Sequence, residues 1–186
     1  LMSLIGGAMS GILGFLLAYP LLQLMGSPAD VIDQAALYVR IYFIGMPASM
    51  VYNFGSAILR AVGDTRRPLY YLSVAGVLNV LLNLLFVIRF SMDVAGVAVA
   101  TVISQYVSAA LIVICLMRSE SCYRFHWAEL ALHRDKVLPI LRIGVPAGLQ
   151  SSIFAISNVV IQSSVNSFGS IAMAGSAAAA NIEGFV

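Results

Sequence analysis

The sequence predicts an all-α, polytopic transmembrane helical bundle, and three observations support this fold class. Of the 186 residues, 61% are hydrophobic and only 10% are charged, whereas soluble domains carry about 25% charged residues. The apolar residues form continuous runs of about 20, the length that a helix needs to cross a bilayer, rather than the shorter alternating pattern of a barrel strand. The net charge of +2 is too small for a nucleic-acid-binding surface. The predicted partner is therefore the lipid bilayer, and no nucleic acid.

Five apolar segments bounded by turn residues follow one another along the chain, and a sixth begins near Ile171. Glycine, proline, serine and aspartate separate most of them, and these residues typically end helices or form turns. A longer polar stretch, 118–136, lies between the fourth and fifth segments. Because the chain opens and closes inside apolar runs, we expect it to be a fragment of a larger protein. The five segments are 1–25, 34–61, 68–90, 94–117 and 137–168.

Positive charge predicts the orientation of these segments, because the cytoplasmic loops of membrane proteins collect Lys and Arg. Arg40 and Arg89 lie on one side, and the other eight of the ten basic residues border two loops on the opposite side. The stretch 118–136 is therefore predicted to be cytoplasmic, in a multi-pass protein of the inner (plasma) membrane. The eight basic residues are Arg60, Arg66, Arg67, Arg118, Arg124, Arg134, Lys136 and Arg142.

The fifth segment carries a polar face that is a candidate lining for a substrate cavity. At about 100° per residue, four of its polar side chains fall within about 80° of arc. Uncharged carboxamides and hydroxyls offer hydrogen bonds to a substrate or a hydrated cation, but they also join helices to one another. The sequence leaves both roles open. The four residues are Ser151, Asn158, Gln162 and Asn166, and Gln150 lies beside them.

Asn79 and Asn83 repeat this pattern on a smaller scale, one helical turn apart in the third segment. They are also candidates for lining the cavity. For this pair, bonding between helices is slightly favoured over substrate binding.

Glu183 is the only acid that the sequence places outside loops and turns, and it is the candidate ion-coupling residue. A carboxylate inside a helix bundle can couple proton or cation binding to conformation, although a carboxylate near the far interface, or paired with an arginine, would have a structural role. The segments otherwise lack acid–base pairs and metal-ligand clusters. We therefore predict that the protein is not an enzyme and has no catalytic residue, metal or cofactor beyond a coupling sodium ion or proton.

Several short motifs together resemble the multidrug and toxic compound extrusion (MATE) family of transporters. The most specific is Leu59-Arg60-Ala61-Val62-Gly63-Asp64-Thr65-x-x-Pro68, between the second and third segments. The resemblance extends over nearly the whole chain. The accompanying motifs are Gly45-x-Pro47, Asn79-x-x-x-Asn83, Gly96-Val97-Ala98-Val99-Ala100-Thr101 and Ile143-Gly144-Val145-Pro146.

This resemblance implies a twelve-helix transporter whose two six-helix lobes enclose a central cavity. Residues 1–117 would be the last four helices of the N-terminal lobe, 118–136 the cytoplasmic linker, and 137–186 the first helix and the start of the second helix of the C-terminal lobe. Such transporters export organic cations, drugs or toxic metabolites in exchange for sodium ions or protons, by alternating access. The implied partner is a small organic, cationic substrate, and we expect a monomer when the protein is complete.

Two positions depart from the family pattern. Some members carry an acid where this sequence has Phe154, and the position of Asn83 is acidic in other members. The coupling ion, sodium or proton, therefore stays open. The remaining motif residues are predicted to have structural roles, namely Gly45, Pro47, Arg60, Gly63, Asp64, Thr65, Pro68 and Pro146.

Two alternative functions are compatible with a membrane location. A flippase for a lipid-linked saccharide would need basic residues lining its cavity to bind a pyrophosphate, and the apolar segments show no such lining. A membrane-embedded transferase would need paired acids or a metal motif near an interface. Asp30 and Asp33 are the nearest such pair, and they are predicted to cap the next helix. The sequence therefore favours cation-coupled export.

Overall fold

The computed structural model of the chain describes residues 1–25, 31–118 and 134–183. Within those residues the regular structure is helical throughout, with no strand, and the predicted all-α fold class is confirmed. The helices are α1 (Met2–Leu24), α2 (Ile32–Ile44), α3 (Met46–Ala61), α4 (Arg66–Leu84), α5 (Asp93–Arg118), α6 (Arg134–Asn166) and α7 (Ser170–Glu183).

Four of the described helices are long and apolar enough to cross a membrane, namely α1, α4, α5 and α6. A fifth crossing is formed if α2 and α3 are counted together, because they meet at an angle of 47° across a single residue. The segment predicted at 34–61 is therefore a broken helix rather than a continuous one. The chain is a multi-pass membrane protein, as predicted.

The third predicted segment, 68–90, ends close to the predicted residue, but its last turn is not α-helical. Beyond α4 the chain continues through one π-helical turn, Leu85–Arg89. A π turn accommodates an extra residue in the helix and often occurs near functional positions. Here it begins at Leu85, two residues after Asn83, and no local sequence signal predicted it.

The chain divides into two compact units. One combines Leu1–Leu17 with Leu37–Leu132, and the other combines Ala18–Ala36 with His133–Val186. The predicted lobe boundaries, 1–117 and 137–186, stay a prediction, and most of the predicted linker 118–136 lies outside the described residues.

The core of the first unit lies where α3, α4 and α5 pack together. Leu59, Ile112, Cys115 and Leu116 are buried there. Gly55 of α3 allows the close approach, since a Cβ at that position would lie 2.9 Å from the Ile112 side chain. Small residues at helix contacts are the usual means of close packing in membranes, where water provides no hydrophobic driving force.

Candidate functional site

The break between α2 and α3 lies at Gly45. Pro47 is in the first turn of α3, where a proline has no N–H to give to the preceding helix. Separately, the carbonyl of Ile44, next to the break, accepts a hydrogen bond of 3.1 Å from the Tyr106 hydroxyl of α5. The broken helix is therefore fixed to α5 by a side-chain bond.

Gly45 is buried at this break because the side chain of Gln105 occupies the space beside it. A Cβ on Gly45 would overlap the Gln105 side-chain oxygen, Oε1. That oxygen is itself buried and accepts no hydrogen bond within the described structure. An unpaired buried polar atom is destabilising, so Gln105 is a position with capacity for another partner.

One turn before Gln105 on α5, Thr101 begins a half-buried polar cluster that extends across to α4. The Asn79 amide nitrogen approaches the Thr101 hydroxyl at 3.4 Å, and Asn83 Nδ2 donates to Asn79 Oδ1 at 3.0 Å. The Thr101 hydroxyl donates to the carbonyl of Val97. Asn79 and Asn83 are thus held together with α5, and Asn83 Oδ1 is left buried without a donor in the described part of the chain.

The polar face predicted on α6 divides into two parts. Gln162 donates to Asn166 Oδ1 at 2.9 Å, and Asn166 in turn donates to the carbonyl of Met25 at 3.0 Å. Both belong to the second compact unit. This end of the face is therefore engaged in structural hydrogen bonds, one of them to a residue far away in sequence.

The other end of the α6 face is exposed. Gln150, Ser151 and Asn158 are exposed, and α6 as a whole is apolar enough to span a membrane. Polar side chains on such a surface are unfavourable in hydrocarbon unless they face another helix or a water-filled cavity. Pro146 lies within the same helix, and Phe154 is exposed beside the polar face.

The motif between α3 and α4 forms a compact turn. Gly63 adopts a left-handed φ of +86°, and the N–H groups of Gly63 and Asp64 donate to the carbonyls of Arg60 and Leu59. This Schellman arrangement satisfies the last carbonyls of α3 and favours glycine at the left-handed position.

Asp64 then caps the start of α4. Its Oδ1 accepts from the Arg67 backbone N–H at 3.2 Å, and its Oδ2 pairs with the Arg67 guanidinium at 3.2 Å. The Tyr52 hydroxyl donates to the carbonyl of Pro68 at 2.8 Å and joins α3 to this turn.

The two remaining polar residues of the motif have no partner on another helix among the described residues. Thr65 makes no side-chain capping bond, and exposed Arg60 bonds back to Ser56 within its own helix. The motif therefore organises the turn.

Glu183 ends α7, and its side chain lies outside the described part of the structure. Within the described residues, no three His, Cys, Asp or Glu side chains are grouped as a metal site would require.

Sequence reasoning did not select Thr101, Gln105 or Tyr106 as site residues. The available signal was their spacing on α5, because Thr101 and Gln105 lie one turn apart and share a face. Their contacts to Asn79 and Gly45 depend on helix packing, which periodicity alone does not provide.

Comparison with known proteins identifies the family. The MatE family model matches residues 1–85. A probable multidrug resistance protein of Bacillus subtilis, YpnP, is 35% identical over 176 residues, which is 95% of this chain and 39% of that protein. The chain belongs to the MATE family.

Two further proteins are similar to this chain. YoeA, another probable multidrug resistance protein of Bacillus subtilis, is 31% identical over 90% of this chain and 38% of its own length. A solved transporter of the MOP superfamily from Pyrococcus furiosus has a TM-score of 0.81 and 26% identity over 98% of this chain and 41% of its own. The chain spans about two fifths of the length of the relatives it matches.

Proposed function

We propose that this chain forms part of a cation-coupled antiporter that exports organic cations, drugs or toxic metabolites by alternating access. Membership of the MATE family and similarity to two probable multidrug resistance proteins support export as the activity. The substrate, the coupling ion, a monomeric state and an inner-membrane location with a cytoplasmic 118–136 loop are parts of the same proposal.

The observation that carries the proposal is the half-buried cluster of Asn79, Asn83 and Thr101 between α4 and α5. Within the membrane-spanning helices, an uncharged polar cluster is unfavourable unless its hydrogen bonds are made. Here Asn83 Oδ1 has no donor in the described structure. A carbonyl oxygen of this kind suits a cation or an N–H donor, which are the groups that an organic cation or a coupling ion presents.

The exposed part of the α6 face supplies a second set of hydrogen-bonding groups. Gln150, Ser151 and Asn158 are not engaged with other side chains in the described residues, unlike Gln162 and Asn166. We therefore assign substrate contact chiefly to Ser151 and Asn158, and we assign the other end of the face mainly to holding α6 in place.

Glu183 is the proposed ion-coupling residue. The other acids of the described chain lie in turns or at helix starts, namely Asp33, Asp64, Asp93 and Asp135. Acids at helix starts interact favourably with the helix dipole and have a structural role there. Glu183 instead ends α7, so it is the carboxylate that is left for binding sodium or a proton.

Replacing Asn83 tests the site. Asn83→Leu removes the unpaired oxygen and is expected to lower the export rate of a cationic dye by about tenfold, the effect of losing one hydrogen bond to a charged group. Export is measured in cells that express the full-length protein, normalised to the amount in the membrane.

The matched control is Ser73→Leu, an exposed position on the same helix and a different face. Unchanged export by Asn83→Leu, with normal protein levels, would remove the cluster from the transport site. Equal loss in both variants would show a general effect on α4.

A further inference from the structure

An apolar groove lies between α1 and the broken α2–α3 helix. It has a volume of about 340 Å³ and is lined by Ala8, Gly11, Ile12, Phe15, Leu16, Phe43, Ile44 and Pro47. Its floor is formed by close backbone packing, since a Cβ on Gly11 would lie 2.9 Å from the Phe43 carbonyl oxygen. The lining residues on α1 run from Ala8 to Leu16, nine residues that rise about 12 Å along the helix.

The positively charged side chain of Arg40 lies at one end of this groove. The Arg40 guanidinium lies over the ring of Phe15, 5.7 Å from its centroid, and Phe15 lines the groove. Arg40 is exposed, and no carboxylate pairs with it among the residues that the structure describes. The aromatic ring holds the guanidinium in place by a cation–π interaction, but it does not neutralise the charge.

The position of Arg40 along the span places its charge near a membrane surface. Arg40 is eight residues, or about 12 Å, from the start of α2 at Ile32. The two helices contain 13 and 16 residues, so together they exceed the roughly 20 needed to cross the hydrocarbon. The flexible arginine side chain can therefore reach the headgroup region while its Cα lies within the bilayer.

We propose that this groove binds an anionic phospholipid, with its phosphate on Arg40 and one acyl chain along the groove toward Pro47. The guanidinium fork matches a phosphate in charge and geometry. One leaflet is about 15 Å thick, half of the roughly 30 Å hydrocarbon core, and this matches the groove in length. The apolar lining of the groove thus suits the acyl chain of a lipid, and the Arg40 guanidinium suits its phosphate.

The test is lipid binding by the purified full-length protein, counted by native mass spectrometry after delipidation and titration with phosphatidylglycerol. Arg40→Gln is expected to weaken binding about tenfold, the loss of a charge-assisted hydrogen bond. Arg40→Lys keeps the charge but loses the fork, so it is expected to bind with intermediate affinity. Arg89→Gln, at an exposed arginine on another helix, is the matched control and is expected to bind as the wild type does.

The groove itself is tested separately by filling it. Leu16→Trp places a bulky ring in the groove and is expected to lower binding, whereas Leu13→Trp, at an exposed α1 residue outside the groove, is not. Phosphatidylcholine is expected to bind more weakly, and inorganic phosphate is expected not to compete.

Several results would overturn the proposal. Equal binding by Arg40→Gln and wild type would remove the phosphate site. Binding unaffected by Leu16→Trp would mean that another helix of the full-length protein, rather than lipid, covers the groove. Full competition by inorganic phosphate would show an anion site without an acyl chain. If Arg40→Gln does not fold, Arg40→Lys and Leu16→Trp still decide between these outcomes.

Discussion

At the scale of single residues, the hydrogen bonds that a carboxamide already makes within the protein distinguish a structural role from a role in substrate binding. Asn166 is buried and bonds to the Met25 carbonyl, whereas Asn158, two turns earlier on the same face, is exposed. Sequence periodicity assigned both residues to one arc and could not distinguish them, because the partner of Asn166 lies 141 positions away.

The two ends of the α6 face should therefore respond differently to substitution. Asn158→Leu is expected to reduce dye export several-fold while leaving the melting temperature of the purified protein unchanged. Asn166→Leu is expected to lower the free energy of unfolding by about 1 kcal/mol, since it leaves the Gln162 amide and the Met25 carbonyl without their partner. Export and thermal melting, measured on the same preparations, separate the two effects.

The matched control for Asn158→Leu is Ser152→Leu. Ser152 is exposed, bonds within its own helix to Gly148, and lies about 120° away around the helix. Equal losses of export at both positions would contradict a specific role for Asn158.

At the scale of helices, composition and run length were sufficient to locate most of the spans. The fifth segment, predicted at 137–168, is α6 at Arg134–Asn166. A long apolar run in a bilayer forms a helix because a helix satisfies all of its backbone hydrogen bonds within the segment. Pro47 within the second segment is a local signal for a bend there, whereas no local signal predicted the π turn after Leu84. The exact geometry of the break involves a contact with a neighbouring helix, the bond from Tyr106 to Ile44.

The break itself yields a prediction about stability. Gly45→Ala places a methyl group where Gln105 Oε1 lies, and such overpacking typically destabilises a protein by about 1–3 kcal/mol. We therefore expect a lower melting temperature for the purified full-length variant.

Two comparisons isolate the cause. Gly76→Ala, on exposed α4 surface with no atom within 4 Å of the new Cβ, is expected to be neutral or slightly stabilising because alanine favours helix. In a Gln105→Ala background, the effect of Gly45→Ala should largely disappear. If the destabilisation persists without Gln105, the break is held by another contact.

At the scale of the whole molecule, the central claim is that this MATE family chain belongs to an exporter driven by a cation gradient. The resemblance of its motifs predicted the family, and the comparisons confirm it. The coupling ion was not predictable from the residues, because the resemblance implied acids in some members at the positions of Asn83 and Phe154. Among the described residues, Glu183 is the one acid that lies away from turns and helix starts.

The most direct measurement follows a fluorescent cationic dye in everted membrane vesicles that contain the full-length protein. A sodium gradient and a pH gradient are imposed separately, and vesicles without the protein provide the background. The account predicts dye movement into the vesicles that is driven by one of the two gradients and abolished when that gradient is collapsed. Dye movement that is absent under both gradients, with the protein correctly inserted, would contradict cation-coupled export.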